Sequence, residues 1–123
     1  MPPRITTTAP DECMVEAATE VLGGKWKLVI LRHLQDGTRR FGELHRAIPG
    51  VTARMLTRQL RELEADGLIE RKVYAEVPPK VEYSVTPIGA SLKEITDRLD
   101  AWGHWYRAQV GDRQPAAGTA TEA

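Results

Sequence analysis

Residues 51–66, VTARMLTRQLRELEAD, constrain this chain more than any other stretch. Thr52 fits a helix N-cap, Val51 and Leu56 fit the hydrophobic staple around it, and Gly67 fits the C′ position, so one helix is bracketed at both ends. At about 100° per residue, Leu56, Leu60 and Leu63 form a single stripe, while Thr57, Arg58 and Arg61 fall within roughly 60° of Arg54 on the opposite side. One face must enter a core, and the other carries three arginines and a threonine into solvent or onto a partner.

The flanking segments supply that core. Asp11 is positioned to cap a first helix whose apolar positions are Met14, Val15, Ala18, Val21 and Leu22 and which Gly23-Gly24 ends, with Cys13 in its first turn. A second helix over about residues 25–34 is apolar nearly all round, with Trp26, Val29, Ile30 and Leu34 on one side and Leu28 and Leu31 on another, which places it at the centre of the fold. Asp36-Gly37 is a turn signal. A helix of about two turns over 41–47 then sets Phe41, Leu44 and Ile48 on one side before Pro49-Gly50 breaks it.

Beyond Gly67 the pattern changes. Ile69, Val73, Tyr74, Val77, Val81, Tyr83 and Val85 are β-branched or aromatic and interleaved with charges, which predicts two strands joined through Pro78-Pro79-Lys80 as a stiff tip carrying a lysine. Thr86 and Pro87 supply an N-cap and an N1 proline for one long last helix over 87–109. Along it Ile88, Leu92, Ile95, Leu99, Trp102 and Tyr106 alternate in spacings of four and three, a heptad seam. The seam serves either burial in its own domain or, with the apolar face of the first helix, packing against a second chain. The interface positions expected for the second case are Val15, Ala18, Leu22, Leu92, Ile95, Leu99, Trp102 and Tyr106.

A chain of 123 residues, 41% of them apolar, supports one modest core. The expected organisation is a tail over 1–10, one domain over 11–109 including dimerisation helices, and a second tail over 110–123; the Pro/Thr-rich start and the small polar end read as disordered. No run reaches the roughly 20 apolar residues of a membrane span, and Met1 to Pro10 lack the charged-then-apolar layout of a secretory signal, so a cytoplasmic protein without a membrane role is expected. The single cysteine excludes an intrachain disulfide and a Cys₄ or Cys₂His₂ zinc site within one chain. No cofactor or metal is expected. Formal charge is zero overall, yet residues 25–80 carry twelve basic and seven acidic groups, whereas both flanks are net acidic. The middle is the part suited to phosphate.

Helix, turn, helix and a hairpin with a positive tip is the order of a winged helix-turn-helix, a mainly α fold with a small β-hairpin, whose second helix of the pair enters the major groove of double-stranded DNA. Base-reading side chains must come from a face free of core duties. Arg54, Thr57 and Arg58 in the first two turns meet that condition, and arginine can make a bidentate contact with guanine. Arg61, one turn on, suits phosphate, as do Arg39 and Arg40 before the pair, Thr52 and Ala53 at the helix start, and Lys80 on the wing. The plainer reading of the arginine face is a solvated surface with intrahelical ion pairs.

Residues GGKWKLVIL, RRFGELHRAIPGVTARMLTRQLRELEADGLIER and PPKVEYSVTPIGASL closely resemble the HxlR-type winged-helix regulators, relatives of the MarR-like proteins, over about residues 12–107. The resemblance implies a cytoplasmic homodimer, joined through its first and last helices, that controls genes from a partly palindromic operator. Members commonly carry a cysteine just before the first helix, which in several senses oxidants, quinones or other electrophiles, and Cys13 occupies that place. A helix N-terminus favours the thiolate, whereas Asp11, Glu12 and Glu16 oppose it, and Met14 stands where the family usually has proline. Cys13 is therefore consistent with both a sensing and an inert thiol.

Two other functional classes compete with this reading. Catalysis has little to stand on, because His33, His45 and His104 fall on three different predicted helices without a nucleophile or metal-ligand partner at a recognisable spacing. A protein-docking winged helix is the second, since fold alone does not assign function. Trp26, Trp102, Trp105 and Tyr106 read either as core and interface or as an aromatic pocket for an apolar effector.

Overall fold

A computed structural model describes residues 13–111. The tail expected over 1–10, the expected cap at Asp11 and residues 112–123 of the tail expected over 110–123 lie outside them, while Val110 ends the last helix rather than beginning that tail. The element order is α1 (Met14–Leu22), α2 (Lys27–Gln35), β1 (Arg39–Arg40), α3 (Phe41–Ala47), α4 (Ala53–Ala65), β2 (Ile69–Tyr74), β3 (Lys80–Val85), α5 (Pro87–Ala90) and α6 (Lys93–Val110). The chain divides into two units at Lys93, so the first holds everything through α5 and the second holds α6.

The core of the first unit gathers Ile30, Leu31 and Leu34 of α2, Leu44 and Ile48 around α3, Leu56, Leu60 and Leu63 of α4, and Leu68 and Ile69 at the start of the wing. Helices α3 and α4 contribute the positions that their periodicity marks, whereas α2 buries Ile30, Leu31 and Leu34 but leaves Val29 exposed, and α1 buries Ala17 rather than Val15 or Ala18; burial of these side chains is the main driving force for the fold. Trp26, Phe41, Tyr83 and Leu92 pack against the edge of this cluster. The α4 punctuation is as predicted at both ends. Thr52 Oγ1 accepts from the Met55 N–H at 3.0 Å. At the other end Leu68 N–H bonds Leu63 O and Gly67 N–H bonds Glu64 O, both at 3.0 Å, with Gly67 at φ +80°, a Schellman closure that a residue bearing a Cβ would strain.

The expected β2–β3 hairpin is present and gains a two-residue third strand, so the antiparallel sheet is ordered β1-β3-β2, with Arg39 and Arg40 paired with Tyr83 and Glu82 of β3. A two-residue edge strand has too little periodicity to announce itself. Other expectations need correction. Val77, assigned above to a strand, is 99% exposed in the loop between Tyr74 and Lys80, and Lys80 is the first residue of β3 rather than part of the tip. Helix α1 starts at Met14 with Cys13 as its N-cap residue rather than within its first turn, and the Cys13 side chain makes no capping hydrogen bond.

The last helix is broken. Thr86 caps α5, but the Gly89 carbonyl accepts from Gln35 Nε2 at 2.9 Å and from Leu92 N–H at 3.1 Å, and the Ser91 hydroxyl donates to Ile88 O. The ladder tightens to i→i−3 spacing there, and α6 restarts at Lys93. Gly89 is buried against the α4–β2 turn, and a Cβ at this position would collide with the Leu68 carbonyl oxygen.

Candidate nucleic-acid interface

Helix α4 presents what its spacing demands. Leu56, Leu60 and Leu63 are buried to 1% exposure or less, while Thr52, Ala53, Arg54, Arg58 and Arg61 are exposed. Arg58 is 72% exposed and lies 3.6 Å through Nε from Glu62 Oε2, one turn on. Thr57 is half-buried and its hydroxyl donates to Ala53 O at 2.9 Å, which leaves the oxygen as an acceptor.

The other predicted residues separate by sheet face. Directly opposed residues of an antiparallel pair share a face. Arg39, Tyr83 and Arg71 therefore form one row across β1, β3 and β2, and Arg40, Glu82 and Lys72 form the next row on the other face. Arg39 is half-buried and Arg40 exposed, so the two neighbouring arginines serve different surfaces. Backbone N–H of Arg40 donates to Glu43 Oε1 at 2.8 Å, which fixes the start of α3. Lys80 is held down: its ammonium sits 4.5 Å from the Tyr74 ring centroid and 3.9 Å from Glu82 Oε2, and the Tyr74 hydroxyl donates to Glu82 Oε1 at 3.0 Å.

Three features escaped the sequence reading. Lys27 is buried and its Nζ lies 2.7 Å from Glu62 Oε1, tying α2 to α4. Its position relative to Ile30, Leu31 and Leu34 completes an i, i+3, i+4, i+7 stripe, and that was the available signal. Arg71 and Tyr83 join Thr57, Leu60, Arg61 and Glu64 around a cleft between α4 and the wing. Burial raises the Tyr83 hydroxyl above its ordinary value of 10.0, partly offset by Arg71, with Glu64 adding to the rise and Arg61 opposing it.

Of the proposed interface positions, Val15 and Ala18 on α1 are exposed, Leu22 packs beside the core, and Leu92 does the same from the α5–α6 break. In the second unit Ile95, Leu99 and Trp102 are about half exposed, and Trp102 stacks on Tyr106 with ring centroids 5.1 Å apart. The Cys13 thiol is free and exposed. Among the described residues no group of three or more His, Cys, Asp or Glu could hold a metal ion, and no helix is long and apolar enough to cross a membrane.

A helix pair whose second member shows arginines outward, followed by a wing, defines a winged helix-turn-helix regulator. Residues 21–110 match the HxlR-like helix-turn-helix model, and the chain belongs to that family. It is 61% identical over 89 residues to YtcD of Bacillus subtilis, covering 72% of this chain and 71% of the relative. With YdeP of the same organism it shares 49% over 105 residues, covering 85% and 81%. Both are named as uncharacterised HTH-type transcriptional regulators. Among solved structures it is similar to the redox regulator HypR in its oxidised form, with 52% identity, a TM-score of 0.72 and coverage of 75% and 95%. It is also similar to reduced YodB from B. subtilis, with 35% identity, a TM-score of 0.65 and coverage of 78% and 91%. The protein is thus a helix-turn-helix transcriptional regulator, a family of regulators and not of enzymes.

Proposed function

We propose that the protein is a cytoplasmic homodimer that binds a partly palindromic operator in duplex DNA, with α4 in the major groove of each half-site. The exposed arginine face of α4 carries this reading, because its three leucines are committed to the core while Arg54 and Arg58 stay open beside a capped N-terminus. Arg58 reads a base edge with Arg54 and Thr57, while Arg61, Arg39, Arg40, Thr52, Ala53 and Lys80 meet the backbone. Lys80, already engaged with Tyr74 and Glu82, contributes least among the cations. The α6 stripe of Ile95, Leu99, Trp102 and Tyr106 joins two copies, with Val15 and Ala18 of α1 extending the contact.

The test is to recover bound genomic fragments and compare wild type with Arg58→Ala on the selected site. The variant is expected to lose about 1–3 kcal/mol and to relax selectivity at one base pair. Unchanged affinity and selectivity would remove α4 from the interface.

A second reading concerns control. The likeness to HypR, named a redox regulator, and the exposed Cys13 thiol favour release or rearrangement on thiol oxidation, by an oxidant or electrophile acting as effector. Cys13→Ser should then abolish any change of DNA binding on diamide treatment, and a response that survives this substitution excludes Cys13 as the sensor.

A further inference from the structure

The cleft between α4 and strands β2 and β3 is lined by Thr57, Leu60, Arg61, Glu64, Arg71 and Tyr83. Its volume is about 210 Å³, several times the roughly 30 Å³ that one water molecule occupies, so an anionic group fits with its first waters. Arg71 and Tyr83 are directly opposed across the β2–β3 ladder and so point from the same face of the sheet, while Arg61 approaches from the helix. Arg71 Nε stands 3.6 Å from Glu64 Oε1, an ion pair longer than a hydrogen bond, with both side chains more than two-fifths exposed. Two guanidinium groups against one carboxylate leave the cleft one positive charge in excess, the complement of a single phosphodiester.

We propose that this cleft seats one backbone phosphate of bound duplex DNA, held by Arg71 and Arg61 with the neutral Tyr83 hydroxyl as a third donor, and that Glu64 occupies Arg71 until the phosphate displaces it. The inference rests on the DNA-binding reading above and adds to it a contact lying off the exposed arginine stripe. Its location suits the role. Thr57 and Arg61 border both the stripe and the cleft, so a strand flanking a helix seated in the major groove passes over the cleft on its way to the wing. Arginine grips phosphate through two parallel N–H donors, and such contacts set register without reading sequence.

The experiment measures affinity for a random-sequence duplex as a function of salt, for wild type, Arg71→Gln and Glu64→Gln. Arg71→Gln is expected to bind about three- to tenfold more weakly, with a log–log salt slope shallower by about 0.9, the value for one phosphate. Glu64→Gln is expected to bind about two- to fivefold more tightly, because the competing carboxylate is gone. Thermal unfolding checks both variants; should Arg71→Gln fail to fold, Glu64→Gln decides, and no gain in affinity there overturns the proposal. Wild-type binding with Arg71→Gln unchanged in affinity and slope overturns the phosphate seat alone, whereas absence of duplex binding by wild type overturns the gene-control reading and the seat with it. Sodium phosphate titrated against the Arg71 Nε–H resonance without DNA separates the sources: a millimolar response together with unaltered duplex binding by Arg71→Gln would make this a free-anion pocket and overturn the phosphodiester assignment.

Discussion

Lys27 Nζ and Glu62 Oε1 are 2.7 Å apart, and the lysine side chain is 4% exposed while the glutamate is 32% exposed. The pair joins the central helix to α4 at the border of its arginine stripe, and the other oxygen of Glu62 faces Arg58. An ion pair of this kind fixes geometry more than it adds net stability, because burying the ammonium offsets much of the attraction.

Lys27→Met is therefore expected to lower stability by about 1–3 kcal/mol, less than the loss for a fully buried pair, since Glu62 retains solvent and Arg58. Denaturant unfolding measures the loss. Adding Glu62→Gln should recover part of it, and strict additivity of the two changes would refute the coupling.

At Gly89 the obstacle is backbone. The Leu68 carbonyl oxygen occupies the space that a Cβ needs, and the turn holding Leu68 is itself fixed by the Schellman closure. Gly89→Ala should cost about 1–3 kcal/mol, read as a lowered thermal midpoint, whereas an alanine at exposed Gly103, where a Cβ meets nothing, should raise helix stability slightly. Equal effects at the two sites would contradict the close approach.

Leu99 is 47% exposed at the middle of the α6 stripe. Leu99→Glu should yield monomers by sedimentation and weaken operator binding by more than tenfold, because a two-fold operator then loses one of its half-site contacts. A dimer that persists in this variant would place the interface elsewhere.

Tyr83 sets a pH limit. Burial lifts its hydroxyl above 10.0, so the folded state holds the proton more firmly than the unfolded chain. The associated stability is complete below pH 10 and is lost as pH rises through the folded value. Wild type should lose stability at high pH more steeply than Tyr83→Phe, and identical profiles in alkaline unfolding would show that Tyr83 carries no such linkage.

Much of the fold is legible in the sequence. Thr52, Gly67 and the three leucines of α4 each obey a local rule, so that helix could be placed to the residue, and α3 followed from Gly37, Pro49 and an apolar spacing. What stayed hidden depends on contacts distant in sequence. Gln35 and Leu92 claim the Gly89 carbonyl and split a continuous heptad pattern; Arg39 and Arg40 become a strand only because β3 lies beside them; Arg71 and Tyr83 meet Arg61 only once the wing is folded onto α4. The exposed arginines of α4 are readable because exposure follows directly from the leucine phase. Lys27 was passed over because a lysine in an apolar stripe looks like an interruption until its carboxylate is known.

The Thr86 hydroxyl donates to Gly67 O at 2.6 Å and accepts from Gly89 N–H at 3.1 Å, so a single oxygen rivets the end of α4 to the start of α5. Chain length is consequently unforgiving at one end of the wing and lenient at the other. Extra residues in the exposed loop between Tyr74 and Lys80 would only lengthen the finger, but one residue inserted between Ala65 and Ile69 would shear the rivet and throw helix and finger out of step.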